Sequence, residues 1–599
     1  SYIGFKQHIE KINNRSIIDV VLEEDSQLID EVIVVGYGIQ KKSSMTSAVS
    51  ALKGDDLINA PATNVSSVLG GRLPGISSVQ ETGEPGLDQA VLRVRGSKYG
   101  VVYIVDGMPR SINDINPNDI ESVSVLKDGA AAAVYGLDAA GGVVIISTKG
   151  GRQGKPEVTY TGSVGASLNA NFPKFMNGPQ FAHYYNMADL MDKLASGAIT
   201  DRKQYVPIFT NADIAAMTNG DPTDGWDNVD YINEVFGTGT NQNHNVTLQG
   251  GSENAKYYTS FGYLGQKGNI DNFKYRRYNL RTKIDAQVSN NFSISIGLAG
   301  NIGRRQTPGF SAGGGDNDPW AGEKGWLSIA RQTIAMHPYL PITYDGLYTA
   351  TPLRNTGLPH SPLSAIYESG FKKTRSTDLQ TNIILEYKIP SIKGLSVKAT
   401  GAYDYGTSHN KNLNTPYYLS AISLPDSNSK LGYAKTIDPR SNTTISLGEG
   451  QTTYETMVGQ AGIYYVNSFG KHNVDLMALG EMRDYKSNSF SAYVKGLSIA
   501  ELPEINFGST QDSPSRGKSS ASRNVGYVFR ARYDYASKYL AEVTGRYDGS
   551  YLFAGSGKRW GLFPSGSVAW RMSQEDFMKD FSFIDDLRSE EHTSELQSH

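Results

Sequence analysis

Between about residue 155 and residue 587, apolar and polar residues alternate one by one in many successive stretches. In one of them the even positions are Tyr278, Leu280, Thr282, Ile284, Ala286 and Val288, and the odd positions between them are Asn279, Arg281, Lys283, Asp285 and Gln287. A period of two residues indicates β-strands with one apolar and one polar face. The sequence therefore predicts a long series of strands with one face suited to lipid and the other to water.

The connections between these stretches alternate in length. Tight turns are predicted at residues 252–254, near 290, at 390–394, near 470 and at 536–538. Between them lie long polar loops, predicted to end near Asn243, Thr377 and Ser522. Short connections on one side and long loops on the other are typical of antiparallel β-barrels in an outer membrane. We count roughly a dozen strands before Leu587, whereas larger outer-membrane barrels close with about 22.

The composition excludes several other classes of protein. The chain has 599 residues, no cysteine and a formal net charge of -3. The lack of cysteine removes disulfides and thiolate chemistry, and the small charge gives no electrostatic reason to expect nucleic acid. No apolar run is long enough for a membrane-spanning helix. The histidines lack metal-ligand spacing and no nucleophile motif is present, so we predict no metal, no cofactor and no enzyme.

Residues 41–151 have a different pattern, in which short strands are separated by glycines. The predicted strands are residues 92–96, 101–105, 120–126 and 143–148, and one or two helical turns at 130–136 close on Gly136. This mixture indicates a compact α+β domain of about a hundred residues. A phosphate-binding loop is not favoured, because no Gly-Lys-Ser/Thr follows the glycines.

Residues 30–38, Asp-Glu-Val-Ile-Val-Val-Gly-Tyr-Gly, form a short β-prone segment before this domain. On its own it is predicted to be an unpaired strand that another protein could complete, or an ordinary edge strand. A dinucleotide site does not fit, because Lys41 stands where a third glycine is needed and no helical pattern follows.

Several motifs of this region together resemble the plug domain of SusC-type TonB-dependent outer-membrane transporters. They are Gly71-Arg72-Leu73-Pro74-Gly75, Leu92-Arg93-Val94-Arg95-Gly96, Tyr103-Ile104-Val105-Asp106-Gly107-Met108-Pro109, residues 116–128 (Asn-Pro-Asn-Asp-Ile-Glu-Ser-Val-Ser-Val-Leu-Lys-Asp), Ala132-Ala133-Val134-Tyr135-Gly136 and Thr148-Lys149-Gly150-Gly151. The resemblance implies an α+β plug inside a transmembrane antiparallel β-barrel. It also implies a location in the outer membrane of a Gram-negative bacterium, with plug and TonB box facing the periplasm.

The same resemblance implies a function and partners. The box would be Asp30, Glu31, Val32, Ile33, Val34 and Val35. TonB, energised by ExbB and ExbD, would bind there and drive import of a large nutrient, with glycan oligosaccharides as the leading candidate. A SusD-like surface lipoprotein would share in substrate capture. The alternatives are a receptor for peptides, siderophores or cobalamin, and a receptor that transmits a signal.

The domain boundaries follow from these patterns. We predict the tail of a β-sandwich at residues 1–25, a TonB-box linker at 26–40, the plug at 41–151 and part of a barrel at 155–587. Residues 588–599 resemble a translated sequencing adapter and are predicted to take no part in the fold. The last strand, near residues 561–572, is then expected to be unpaired.

Two sets of side chains are candidate functional residues. Charged residues of the plug are predicted to contact the barrel wall, namely Arg93, Arg95, Asp106 and Asp128. Aromatic residues cluster in the longest predicted loop, namely Trp320, Trp326, Tyr339, Tyr344 and Tyr348. Their rings suit the faces of sugars or the side chains of peptides, but packing of one loop on another is the favoured explanation.

Overall fold

The structure is a computed structural model that describes residues 32–35, 38–41, 45–58, 63–220, 225–309, 325–352, 359–423, 432–438, 441, 443–509, 511, 513–553, 555, 559–578, 584 and 587–594. Within these residues the chain forms a hairpin, an α+β domain and a 13-stranded antiparallel sheet. The long connections of this sheet pack together in a separate, partly helical layer.

The first described segment is a hairpin of β1 (Val32–Val35) and β2 (Gly38–Lys41). Val35 pairs with Gly38 and Val34 pairs with Ile39 in antiparallel register. The prediction of a strand is confirmed, but the prediction that it is unpaired is wrong, because the chain turns back after two residues and supplies a partner on one edge. Asp30 and Glu31 lie outside the described residues.

The α+β domain, called here the inner domain, covers residues 45–148. Its strands are β3 (Val49–Lys53), β4 (Ile76–Gln80), β5 (Ala90–Val94), β6 (Val102–Val105), β7 (Met108–Pro109), β8 (Ile120–Leu126) and β9 (Val143–Thr148), and its helices are α1 (Gly54–Ile58), α2 (Val65–Leu69) and α3 (Gly129–Ala132). Five strands form one sheet in the order β3-β8-β9-β6-β7, and β4 and β5 form a separate hairpin. β8 and β9 have the predicted bounds and are buried in the middle of the domain.

The large sheet winds around the inner domain. Its strands, numbered in chain order, are β10 (Gly154–Ser167), β11 (Gly239–Gly251), β12 (Ala255–Lys267), β13 (Lys274–Ser289), β14 (Phe292–Pro308), β18 (Gly370–Lys388), β19 (Leu395–Asn414), β22 (Ser446–Phe469), β23 (His472–Lys495), β24 (Ser515–Tyr535), β25 (Tyr539–Ser550), β26 (Trp560–Arg571) and β27 (Arg588–Ser594). Each strand pairs with the next in this order, and within the described residues β10 and β27 are not paired with each other. The sheet is therefore an open, partial barrel.

The two faces of the strands are those that the alternation predicts. Ile284 and Ile296, paired across β13 and β14, keep 42% and 44% of their surface exposed on the outer face. Asn279 and Arg281, at the odd positions of β13, point inward and contact the inner domain. The apolar side of the sheet thus faces outward and the polar side lines the lumen.

Replacing Ile296 with arginine is expected to destabilise the folded barrel of the full-length protein by about 2–4 kcal/mol, because a charge on the lipid face must leave water. Lys283→Arg, on the lumen face of the neighbouring strand, is the control and should change little. Unfolding in urea, followed by the shift between folded and unfolded bands on gels, measures both. Equal destabilisation by the two variants would show that the faces are assigned wrongly.

The end of the sheet differs from the prediction. Residues 565–571 of β26 pair with β27, so the strand near 561–572 is not unpaired. Residues 588–594 form β27 on this edge, and the origin of residues 588–599 as a translated sequencing adapter stays a prediction. In this segment the polar and charged residues Arg588-Ser589-Glu590-Glu591 lie beside an available strand edge, and backbone hydrogen bonding does not depend on their side chains.

The strands are longer than the sequence predicts. The loop predicted to end near Thr377 ends before Gly370, where β18 begins, and β24 begins at Ser515 rather than near Ser522. The longest strands, β22 and β23, have 24 residues each. The hairpins therefore continue beyond the part of the sheet in which apolar and polar residues alternate.

The long connections contain α4 (Gly178–Ala195), α5 (Asn211–Asn219), α6 (Tyr231–Val235), α7 (Gly325–Ala335) and α8 (Pro362–Tyr367), with the short strands β15 (Thr343–Tyr344), β16 (Leu347–Pro352), β17 (Pro359–His360), β20 (Tyr418–Ser423) and β21 (Gly432–Ile437). These elements share one hydrophobic core, which includes Phe209, Met217, Ile329 and Leu340. We call this layer the crown. None of the helices in the described residues has the length and apolar character needed to cross a bilayer.

Candidate functional site

The contact surface between the inner domain and the barrel strands is the first candidate site. One of its contacts involves Asp106, which lies at the turn between β6 and β7 and forms an ion pair with Arg281 of β13. Thr148 donates to Asp106 through its backbone N–H (2.9 Å) and its hydroxyl (2.7 Å). Burial alone raises the pKa of Asp106, but Arg281, Lys283 and the Thr148 hydrogen bonds hold this pKa below its usual value. Asp106 is therefore charged and fixed to the wall.

A second ion pair was not predicted from the sequence. The guanidinium of Arg110 donates to both carboxylate oxygens of Asp404 on β19, at 2.6 and 2.8 Å, and to the Thr381 carbonyl oxygen at 2.9 Å. Only 4% of the Arg110 side chain is exposed. Bidentate pairing of this kind fixes both distance and orientation. Arg110 directly follows the motif of residues 103–109, but no local pattern indicates a partner 294 residues away.

Further polar contacts join the inner domain to β12 and β14. Glu84 forms an ion pair with Arg305 (2.9 Å), and Asp88 accepts from Gln266 (2.9 Å). Nearer the short turns, Asp119 accepts from the Tyr258 hydroxyl (2.8 Å). Burial raises the pKa of Asp119, while the hydrogen bonds from Tyr258 and Ser260 and the charge of Arg281 oppose that rise. The inner domain is thus bound to many strands through buried polar groups.

The opposite side of the inner domain meets β23 to β26. Arg546 of β25 donates to the Val134 carbonyl oxygen (3.0 Å) and forms ion pairs with Glu481 (2.9 Å) and Asp548 (2.6 Å). A Cβ atom at Gly136, which has a φ of 76°, would overlap the Asp548 carboxylate. Glycine is therefore required at Gly136 both for its backbone conformation and for this close approach.

The other charged residues predicted to contact the wall lie elsewhere. Asp128 caps α3 by accepting a hydrogen bond from the Ala131 N–H (2.7 Å), and it also accepts one from the Ala48 N–H. Both of these hydrogen bonds lie within the inner domain. Arg93 is exposed and donates to the Ser97 carbonyl oxygen. Arg95 is exposed in a turn with a φ of 50°. Of the four predicted residues, the structure brings Asp106 to the barrel through an ion pair.

The crown contains the described aromatic candidates. Tyr339 is fully buried in its core and contacts the rings of Phe209 and Trp226. Trp326 and Tyr348 pack against the same core. For these residues loop-on-loop packing explains the cluster, and Tyr339 has no surface to offer a ligand. Trp320 lies outside the described residues.

Tyr344 has a different environment. Its ring stacks on that of Tyr433 from another long connection, with centroids 4.0 Å apart, and the Tyr433 hydroxyl donates to the Gly225 carbonyl oxygen (2.8 Å). The stacked pair therefore joins three segments of the crown that are far apart in the chain. The contacts between these aromatic residues hold the long connections together in one packed layer.

His337 gives the crown a predicted dependence on pH. Burial lowers the pKa of this imidazole to about 4, and its Nδ1 lies 2.9 Å from the Tyr339 hydroxyl. Since an exposed histidine titrates near 6.5, the neutral form stabilises the crown fully above about pH 6.5, and this stabilisation is lost as the pH falls towards 4. We expect the protection factors of the amides in residues 325–340, which are exchange rates corrected for the intrinsic rate at each pH, to decrease as the pH falls over this range. His337→Gln should remove that dependence, and an unchanged profile in this variant would contradict the assignment.

The β1–β2 hairpin is the third candidate site. In a hairpin with a two-residue loop, the pair next to the loop exchanges hydrogen bonds and the following pair does not. Val35 and Gly38 form the first pair and Val34 and Ile39 the second. The N–H and C=O groups of Val34 therefore point to the edge opposite β2, where another strand could pair with them.

An α+β domain inside an open antiparallel sheet with short turns on one side and long loops on the other is the architecture of plugged outer-membrane receptors. The comparison with protein families agrees, because residues 41–143 match the TonB-dependent Receptor Plug Domain. The inner domain is therefore a plug domain.

The chain is also similar to whole proteins beyond the inner domain. The chain is 28% identical to TonB-dependent receptor SusC of Bacteroides thetaiotaomicron, over 98% of this chain and 55% of that protein. It is also 28% identical to TonB-dependent receptor P3 of Formosa agariphila, over 98% of this chain and 53% of that protein. The RagAB peptide importer in its open-open state has the same fold, with a TM-score of 0.73 at 22% identity, over 94% of this chain and 61% of that chain.

These findings confirm the predicted resemblance to SusC-type TonB-dependent transporters. The chain spans about half the length of the curated relatives it matches. These relatives are named as receptors, and the structural neighbour is named as an importer; neither description is that of an enzyme.

Proposed function

We propose that this protein imports glycan oligosaccharides across the outer membrane of a Gram-negative bacterium, using energy delivered by TonB. The observation that carries the proposal is the inner domain, which is held in the lumen by buried polar contacts with strands on several sides. Such a domain blocks free diffusion and must be displaced before a large solute can pass.

Displacing the inner domain requires work. Breaking a buried ion pair costs about 3–5 kcal/mol when it leaves a charge buried without its partner. The Arg110–Asp404 and Arg281–Asp106 pairs are both of this kind. The inner domain is preceded by Asp30, Glu31 and the strand Val32–Val35. We propose that TonB, with ExbB and ExbD, binds this segment and supplies that work through it.

A SusD-like lipoprotein is the proposed partner on the outer side. The crown supports this assignment, because its loops share one hydrophobic core and form a stable rim on which a lid could rest. Since Tyr339 is buried and Trp326 and Tyr348 pack against the same core, we propose that Trp320 and Tyr344 are the better candidates for substrate contact among the predicted aromatics. The lumen wall near Asp106 serves to hold the plug.

Peptides are the second candidate cargo, and the fold shared with a peptide importer is the observation that favours them. Uptake of labelled oligosaccharides and labelled peptides by cells that express the full-length protein decides between the two. We expect oligosaccharide uptake that disappears in a TonB-deficient strain. TonB-dependent uptake of peptides alone would transfer the proposal to peptides, and binding without TonB-dependent uptake would favour a signalling receptor.

A further inference from the structure

We propose that the outer face of the sheet binds a phosphate-bearing lipid at β13, β14 and β18, through three arginines that follow directly on its apolar band. They are Arg276, Arg304 and Arg375, and we call them the arginine row. The inference rests on the proposed function, which places the sheet in the outer membrane with the long connections on the outside.

The arginine row consists of direct neighbours on one face. Arg276 pairs with Arg304 across β13 and β14, and Arg304 pairs with Arg375 across β14 and β18. The next residues along the chain, Arg277 and Arg305, contact the inner domain. Because alternate residues of a strand point to opposite faces and paired residues share a face, the row points outward. All three arginines are exposed, and with neighbouring strands about 4.8 Å apart they lie within roughly 10 Å of one another.

The row lies at the edge of the apolar band on the side of the long connections. On β13 the outward residues from Val288 to Tyr278 carry no charge, and Arg276 is the next one. The outward residues that precede the row on β14 and β18 are likewise uncharged. Ten residues at about 3.4 Å each and a tilt of about 40° span roughly 25 Å, which is the height of the apolar band in such barrels. The arginine row is therefore at the level of the lipid head groups.

The charges of the row are not neutralised within the protein. In the part of the chain that the structure describes, none of the three arginines forms an ion pair. Asp271, before β13, forms an ion pair with Lys267 (3.1 Å), and Glu449 of β22 forms one with Lys411 (2.9 Å). Like charges directly opposite each other on neighbouring strands destabilise a sheet. An anion that binds across the row removes this repulsion.

The outer face of β22 to β24 has balanced charges instead. Asp484 of β23 and Arg523 of β24 are paired in register and form an ion pair of 2.6 Å. Lys486 of β23 lies opposite Glu455 of β22. These residues also follow the apolar band on the side of the long connections. The excess of positive charge is thus a local property of β13, β14 and β18, and it marks a binding site rather than a general feature of the sheet.

A lipid is the occupant that fits both parts of this surface. Guanidinium groups bind phosphate through two parallel hydrogen bonds, and neighbouring arginines can share one phosphate group. Next to the row, Leu280 and Leu379 keep 48% and 40% of their surface exposed on the same face. Acyl chains would cover these side chains, whereas a soluble anion would contact the guanidinium groups alone. A phosphate joined to acyl chains therefore matches the charged row and the apolar surface together.

The test measures binding of lipid to the purified full-length protein in detergent. The probes are lipid A that carries two phosphates and the same lipid after removal of both, and bound molecules are counted by native mass spectrometry. We expect half-saturation to need at least tenfold more of the dephosphorylated lipid. Inorganic phosphate, added at the same phosphate concentration, should not displace the bound lipid.

Two matched double variants each remove two positive charges. Arg304→Gln with Arg375→Gln should raise the half-saturating concentration of diphosphorylated lipid A at least tenfold. Lys486→Gln with Arg523→Gln is the control and should stay within about twofold of the unmodified protein. Arg304→Lys with Arg375→Lys keeps the charge but loses the bidentate geometry, so an intermediate value is expected. The shift between folded and unfolded bands on gels verifies that each barrel is folded.

Several outcomes overturn the inference. Equal binding of the two lipids, or equal losses in the two glutamine variants, would show that the row does not recognise lipid phosphate. Displacement by inorganic phosphate would make the row a site for free anions. Association of lipid-free copies that the Arg304→Gln and Arg375→Gln changes abolish would make a second copy the occupant. Neither cargo nor TonB enters these measurements, so absence of uptake contradicts the proposed function alone, and absence of lipid binding contradicts this inference alone.

Discussion

Proline in place of Val34 is expected to reduce uptake to the level of a TonB-deficient strain, while binding of cargo at the cell surface is unchanged. The N–H of Val34 points away from β2, so proline leaves the hairpin pairing in place and removes a donor from the edge on which an added strand would pair. Pairing of an added strand relies on such main-chain donors. The measurement is uptake and binding of labelled cargo by the same cells.

Val34→Ala is the matched control, because it shortens the side chain and retains the N–H group. It should support uptake at close to the normal rate. Ile33→Pro gives a second comparison, since Ile33 pairs with Gln40 in the hydrogen-bonded register and its N–H points towards β2. Normal TonB-dependent uptake by Val34→Pro would place the TonB contact at another segment.

Alanine in place of Arg110 is expected to weaken the seating of the inner domain by about 3–5 kcal/mol, because the Asp404 carboxylate would stay buried without its partner. Amide hydrogen exchange in β6 and β7 of the purified protein should then be about a hundredfold faster or more, since every 1.36 kcal/mol is a factor of ten. Cells should also become more sensitive to large antibiotics that a seated plug excludes.

The double variant Arg110→Ala with Asp404→Ala is the control for this effect. It removes both charges, so most of the lost protection should return. Arg110→Lys keeps one charge but cannot form the bidentate contact, and we expect an intermediate result. If the single and double variants exchange at the same rate, the ion pair does not hold the inner domain in place.

The sequence predicts the parts of this fold that depend on neighbouring residues. The bounds of β8 and β9 follow from apolar residues bracketed by glycine and polar residues, and the outward position of Ile284 follows from simple alternation. The beginning of β18 at Gly370 is not predicted from the sequence, and the reason is physical. Residues 370–376, Gly-Phe-Lys-Lys-Thr-Arg-Ser, have no simple apolar alternation, because a strand that rises out of the apolar band has water on both faces.

The candidate sites are predictable only in part, because they are made by residues far apart in the chain. Asp106 has a partner on β13 and Arg110 has one on β19, and neither local sequence indicates which strand faces it. The burial of Tyr339 depends on residues from several connections that are far apart in the chain. Alternation and motifs can place a residue on a strand or in a loop, but they cannot show which distant group it meets.

The length of β22 and β23 determines how far the sheet extends beyond its apolar band. A strand of 24 residues is about 80 Å long at 3.4 Å per residue. With a tilt of about 40° it spans roughly 60 Å along the membrane normal, whereas the apolar band of such barrels is about 25 Å tall. With that band in the bilayer, as proposed, a rigid β-stalk of some tens of ångströms stands above the lipid head groups. Under the proposed function, bulky cargo would be received at that height above the head groups, where neither the membrane surface nor its curvature restricts the approach.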